Sequence, residues 1–168
     1  GVVIAHHLTV TKHLWGTVRR DPTPQKGIFT GLPPSLMMEP MMWYFLTGIL
    51  ERHPGLKIVW VEPGLFWIPG FLRFLDRRMH QHYEFPGVKE LPSTYWKRQM
   101  AVTFVDEPEA IDNRYELGVD NLLWSTDFPH PCCNWPNAQA KVAEMFKDMP
   151  DEETDKITWG NGCLLYTS

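Results

Sequence analysis

Four times along the chain a short β-rich apolar run is followed by a longer stretch carrying apolar residues at helical spacing. That alternation restricts the chain to an α/β architecture, a parallel sheet with crossover helices. The strand-like runs are residues 2–5, 56–61, 100–104 and 122–125. Residues 56–61 are apolar almost throughout, as expected of a strand covered on both faces. Helices are expected at about 40–52, with Pro40 in the first turn and His53-Pro54-Gly55 as the stop. A second, at about 67–83, carries Ile68, Phe71, Leu72, Leu75 and Met79 on one stripe. A short turn near 94–98, a helix from Pro108 to Gly118, and helices at 137–147 and 151–159 complete the set. Residues 9–34 read as a long loop, and Met37, Met38, Met41 and Met42 as core filling.

A lone array of four such units leaves a parallel sheet with two raw edges, so half of a closed (β/α)8 barrel is the better expectation. The chain also begins without methionine, directly on its first strand, which predicts a missing partner strand. The final residues, Cys163-Leu164-Leu165-Tyr166-Thr167-Ser168, suit a helix end but also match one translated frame of a sequencing adapter. They are set apart as foreign to the natural protein on that reading.

With 168 residues and 43% hydrophobic content, one compact domain is expected. A net charge of -4 with no block of like charge excludes an electrostatic grip on nucleic acid or anionic lipid, leaving a small molecule as the expected partner. Self-association into a homo-oligomer is left open. The three cysteines, two of them adjacent as Cys132 and Cys133, form neither a disulfide framework nor a thiolate zinc spacing. No run reaches the roughly 20 apolar residues of a membrane span. A cytoplasmic location is expected.

In a (β/α)8 barrel the reacting groups sit at the carboxyl ends of the strands. Here those ends carry His6 and His7, then Glu62, then Phe104 with Asp106, then Asp127 with His130 close behind. An acid emerging from a buried strand must be paired, hydrogen-bonded or metal-bound, because an isolated buried carboxylate is too costly. For Asp127 a metal or catalytic use and simple capping of the next loop both satisfy that rule. Glu62 is either functional or a cap for the helix starting near Leu65. His13, His53, His80 and His82 fall in a loop or on helices and are expected to be solvated.

The segment Ser125-Thr126-Asp127-Phe128-Pro129-His130-Pro131, followed by Trp135-Pro136-Asn137, resembles the last-strand motif of the amidohydrolase-related family that includes aminocarboxymuconate semialdehyde decarboxylase. Residues 48–58, the Glu62-Pro63-Gly64 loop with Trp67, and Phe104-Val105-Asp106-Glu107-Pro108 with Gly118-Val119-Asp120-Asn121 agree with that family in the same order. The resemblance runs over about residues 47–161 and implies the C-terminal half of the barrel, strands five to eight. It further implies one divalent ion, zinc first, with manganese or iron as alternatives. In such enzymes a first-strand His-x-His or Glu-x-His pair, a fifth-strand His and an eighth-strand Asp hold the ion.

The carry-over gives Asp127 as the eighth-strand ligand and His6 or His7 as the fifth-strand one. Adjacent strand residues face opposite ways, and the parity of Val2 and Ile4 favours His6. Glu62 stands where the decarboxylases of the family keep a catalytic His. His130, Trp135 and Phe104 are the expected substrate contacts. The implied activity is metal-dependent hydrolysis of a small carboxylic or carbonyl compound through an activated water, with Asp127 and Glu62 as the catalytic pair. The alternatives are nonoxidative decarboxylation of an aromatic or enoic acid, and a chain holding too few ligands to act alone.

Overall fold

The computed structural model describes residues 2–8, 31, 33–81 and 85–167. Four parallel strands lie in sequence order: β1 (Val3–His7), β2 (Lys57–Val61), β3 (Met100–Phe104) and β4 (Leu122–Trp124). Between β1 and β2 run α1 (Pro33–Leu46) and α2 (Ile49–Arg52), and between β2 and β3 run α3 (Ile68–Gln81) and α4 (Pro92–Gln99). The segment from β3 to β4 holds two short helices, α5 (Pro108–Asp112) and α6 (Arg114–Leu117). After β4 come α7 (Ala138–Met145) and α8 (Asp151–Asp155), which continues through a π-turn at Lys156–Gly160 into α9 (Asn161–Thr167).

All four expected strands form, and β1 extends two residues further than expected, so both His6 and His7 lie in the strand. The first helix differs. It already runs from Pro33, placing Pro40 in its interior rather than its first turn. Met37, Met41 and Phe45, four residues apart on one stripe, are completely buried, and that burial outweighs the one backbone bond a proline removes. The helix breaks at Gly48, whose φ of 69° is left-handed and whose hydrogen a Cβ could not replace without coming within 2.9 Å of the Gly87 carbonyl. Most of the expected loop, residues 9–30, lies outside the described residues, as do His13, His82 and the side chain of His80.

Side chains alternate across the sheet and so divide into two sets. Ile58, Trp60, Val102, Phe104 and Leu122 join Met37, Met41, Phe45, Ile68, Leu72, Tyr95 and Trp96 in the main core, beneath the helices. Val59, Ala101 and Leu123 form a smaller cluster on the other face, flanked by Val3, Val61 and Leu165. The C-terminal helical segment packs on that second face through Leu165, and a cleft of about 600 Å³ lies between them, with Ala5, Val61, Thr103 and Trp159 among its walls. Among the described residues no helix is long and apolar enough to cross a membrane.

Buried amides tie the strand starts to the helices. Asn121 donates to the carbonyls of Trp96, Lys97 and Met100, at 3.2, 3.1 and 2.7 Å. Asn161 donates to those of Val119 and Leu122, at 2.8 and 2.9 Å. Such donors satisfy the backbone acceptors that the entry into each strand would otherwise bury unpaired.

Candidate active site

The carboxyl ends of β1, β2 and β4 converge on a row of four ionisable side chains. His7 Nε2 lies 3.7 Å from Glu62 Oε2. The Asp127 carboxyl lies beside Glu62, near enough to raise its pKa, and Asp127 Oδ2 lies 3.0 Å from His130 Nδ1. Burial first, then the neighbouring Asp127 carboxyl, hold the Glu62 carboxyl above the ordinary carboxylate range, with His7 and His130 pulling weakly the other way.

The backbone is specialised at both acids. Glu62 and Asp127 are the only described non-glycine residues with positive φ, each at 57°. This left-handed region costs an ordinary residue roughly 1–2 kcal/mol and is retained where the surroundings over-determine it. Each strained residue has its amide capped by a hydroxyl: Glu62 N–H donates to Thr103 Oγ1 and Asp127 N–H to Ser125 Oγ, both at 3.1 Å. Past Glu62 the chain turns, and Leu65 N–H donates to Glu107 Oε2 at 2.7 Å. The carboxylate that caps the next helix region is therefore Glu107 and not Glu62.

The two histidines of β1 part company. His6 pairs in register with Trp60, stacks on its indole at 5.0 Å between ring centres, and meets Tyr44 Oη through Nε2 at 2.8 Å. It thus faces the helices, and burial lowers its pKa. His7 is the one beside Glu62, on the face of Ala5 and Val61. The parity preference for His6 is reversed, because both faces of the strand are apolar and the face shared by Ile4 is the helix side. His7 Nδ1 lies 2.8 Å from the Leu8 carbonyl, an oxygen that only accepts, so Nδ1–H is the donor there, and Nε2 is the nitrogen turned toward Glu62.

Phe104 is also corrected. It is wholly buried in the main core, 6.5 Å between ring centres from Phe146, and points away from the row of acids. Its strand-end position was right, but its parity is that of Val102, toward the helices. Trp135 lies at the rim, 63% exposed and edge-to-face with Phe128 at 5.6 Å. Sequence reasoning missed three groups: Thr103, Glu107 and Asn134. The first two support the Glu62 turn. Asn134, whose backbone N–H donates to the Thr126 carbonyl, has the one buried side-chain polar atom without a partner among the described residues, Nδ2. The only signal for Glu107 was the Asp106-Glu107-Pro108 triplet, which by itself reads as a helix start.

A family model described as amidohydrolase matches residues 1–166. No curated protein matches the chain. Among solved structures, an amidohydrolase from Mycobacterium avium subsp. paratuberculosis K-10 is similar at 19% identity and a TM-score of 0.81, over 99% of this chain and 42% of that one. The 5-carboxyvanillate decarboxylase from Sphingomonas paucimobilis is 25% identical with a TM-score of 0.61, over 73% of this chain and 37% of that one. A dihydroxybenzoic acid decarboxylase from Polaromonas sp. JS666, with bound manganese and the inhibitor 2-nitroresorcinol, is 21% identical with a TM-score of 0.66, over 94% and 54%. The chain thus spans about half or less of the length of these structures, and its four-stranded parallel sheet matches part of their fold. The resemblance read from the Ser125–Pro131 and Glu62–Trp67 segments holds at the level of the family, and with the match extending over nearly its full length the chain belongs to the amidohydrolase family.

Proposed function

We propose that this chain supplies strands five to eight of a (β/α)8 barrel whose active site carries out metal-dependent hydrolysis of a small carboxylic or carbonyl compound. The observation behind this reading is the row His7, Glu62, Asp127, His130 at the carboxyl ends of parallel strands, the end where such barrels keep their chemistry. Imidazole nitrogen and carboxylate oxygen are the donors that zinc, manganese or iron takes. His7 fits as a ligand through Nε2, since its Nδ1–H is held by a backbone carbonyl, the usual arrangement of a metal-binding imidazole. Asp127 is the second. Among the described residues no three His, Cys, Asp or Glu come together closely enough to hold an ion. A catalytic site takes about three protein ligands, so the others would come from the first half of the barrel.

When bound, the ion would lower the pKa of water toward neutrality and polarise a substrate oxygen. The chain's own residues divide the proton work. Asp127 would accept a proton at its carboxylate, oriented by His130 Nδ1. Glu62, which burial and Asp127 keep inclined to hold a proton, would deliver it to the leaving group as general acid. His130 and the exposed Trp135 would contact the substrate at the rim.

A second reading, nonoxidative decarboxylation with Glu62 protonating carbon, is favoured by the similarity to two decarboxylases of carboxylated aromatic compounds. The two are separated by assaying the whole protein, loaded with zinc or manganese, for hydrolysis of lactones and amides and for carbon dioxide release from aromatic acids. Hydrolysis abolished by Asp127→Ala supports the first reading. Carbon dioxide release without hydrolysis replaces it with the second, and neither reaction with the loaded protein overturns both.

A further inference from the structure

The turn that carries Glu62 takes two of its backbone bonds from the neighbouring strand end. Pairing between β2 and β3 ends at Trp60 and Val102, and pairing with β1 ends at Val61, whose carbonyl accepts from Leu8 N–H at 2.9 Å, so the ladders no longer fix the backbone from Glu62 onward. Two side chains from the end of β3 take over. Thr103 Oγ1 accepts the Glu62 amide at 3.1 Å, and Glu107 Oε2 accepts the Leu65 amide at 2.7 Å, closing on either side of Pro63 and Gly64. Gly64 has a φ of 72°, so the turn contains two left-handed residues and has no regular structure to hold it. Trp67 Nε1 adds a third link from within the loop, donating to the Pro63 carbonyl at 2.9 Å.

Glu107 is an unusual residue for this task. A turn amide is normally capped by a nearby Ser, Asp or Asn, whereas Glu107 comes from 42 residues away and places a carboxylate where it is largely withdrawn from water. None of the described ion pairs involves it, and its carboxylate is committed to the turn. A displacement on the order of 1 Å at a reacting group costs about a hundredfold in rate, which gives such anchoring a catalytic consequence.

We propose that Glu107, assisted by Thr103, is the positioning residue of this active site: it clamps the turn after β2 and thereby sets the reach of the Glu62 carboxyl toward Asp127. The proposal rests on the role given to Glu62 above.

The test compares Glu107→Ala, Glu107→Asp, Glu107→Gln, Thr103→Val and Glu62→Gln in the whole protein, reading kcat, KM and the amide hydrogen exchange of Leu65. Glu107→Ala is expected to lower kcat on the order of 10- to 100-fold with KM changed by less than about threefold, and to accelerate exchange at Leu65. Glu107→Asp, one methylene shorter, is expected to behave the same way, and it serves if the alanine variant does not fold. Glu107→Gln keeps an oxygen that accepts from Leu65 and is expected to recover kcat to within about threefold of the parent. Thr103→Val is expected to give a smaller loss of kcat than Glu107→Ala. Folded Glu107→Ala or Glu107→Asp protein with unchanged kcat and unchanged Leu65 exchange overturns the clamp, as does a Gln variant no better than Ala. Should Glu62→Gln leave kcat intact, the role of Glu62 fails instead, and Leu65 exchange still decides whether Glu107 clamps the turn.

Discussion

Glu62, directly after β2, and Asp127, three residues past the end of β4, share one backbone device: each sits in the left-handed region at φ 57°, each has its amide capped by a hydroxyl at 3.1 Å, and the Asp127 carboxyl lies close enough to Glu62 to raise its pKa. Two strained backbone positions thus bring two acids together at the carboxyl end of the sheet. Removing the cap at one end tests that arrangement. Ser125→Ala leaves the Asp127 amide without its acceptor and is expected to cost about 1 kcal/mol in chemical denaturation. No loss would mean that solvent replaces the hydroxyl.

His6 and His7 are adjacent in sequence and opposite in environment. His6→Ala removes the ring stacked on Trp60 and the partner of the Tyr44 hydroxyl, with an expected loss of about 2 kcal/mol in stability and no change in bound metal. His7→Ala, at an exposed side chain, is expected to shift stability by no more than about 0.5 kcal/mol while lowering the metal content of the whole protein. Thermal melts and metal analysis of both variants check the pair, and the reverse pattern would exchange their roles.

Glu107 makes stability depend on pH. Burial holds its carboxyl above the ordinary range, the Leu65 amide offsetting this in part. Below the ordinary Glu range, about pH 4, both folded and unfolded forms are protonated and the shift has no effect. As pH rises through that range the unfolded chain ionises first, so stability falls until the folded carboxyl ionises too, and is level above. Glu107→Gln removes this slope. Its melting temperature relative to the parent is expected to rise between about pH 4 and pH 7, and a constant offset would contradict the assignment.

Gly118 has a φ of 99°, and a Cβ there would lie 2.1 Å from Oδ1 of Asn121. Any side chain strains the backbone and pushes away the buried amide that serves three carbonyls. Gly118→Ala is expected to cost roughly 3 kcal/mol, measured by denaturant titration.

Zinc titration of the 168-residue chain by calorimetry tests the half-barrel proposal directly. With His7 and Asp127 as the ligands it offers, binding is expected to be weak, and addition of the first half of the barrel is expected to tighten it. Tight binding by this chain alone would show that its own residues complete the site.

The alternation of apolar runs fixed the number, type and order of the strands, because a buried parallel strand and an amphipathic helix have different periods and each must cover the other. The same runs located Glu62 and Asp127 at strand ends, where a carboxylate demands an explanation whatever the fold. Direction was the part left undetermined. Alternation divides a strand into two sets, but this sheet is apolar on both faces, so nothing in Val3-Ile4-Ala5-His6-His7 marks which set meets the helices. Packing of Trp60 and Tyr44 around His6 decided that, and the parity shared by Val102 and Phe104 turned Phe104 into core. The contact from Glu107 to Leu65 depends on two strand ends becoming neighbours in space, a relationship that exists only after the sheet has formed.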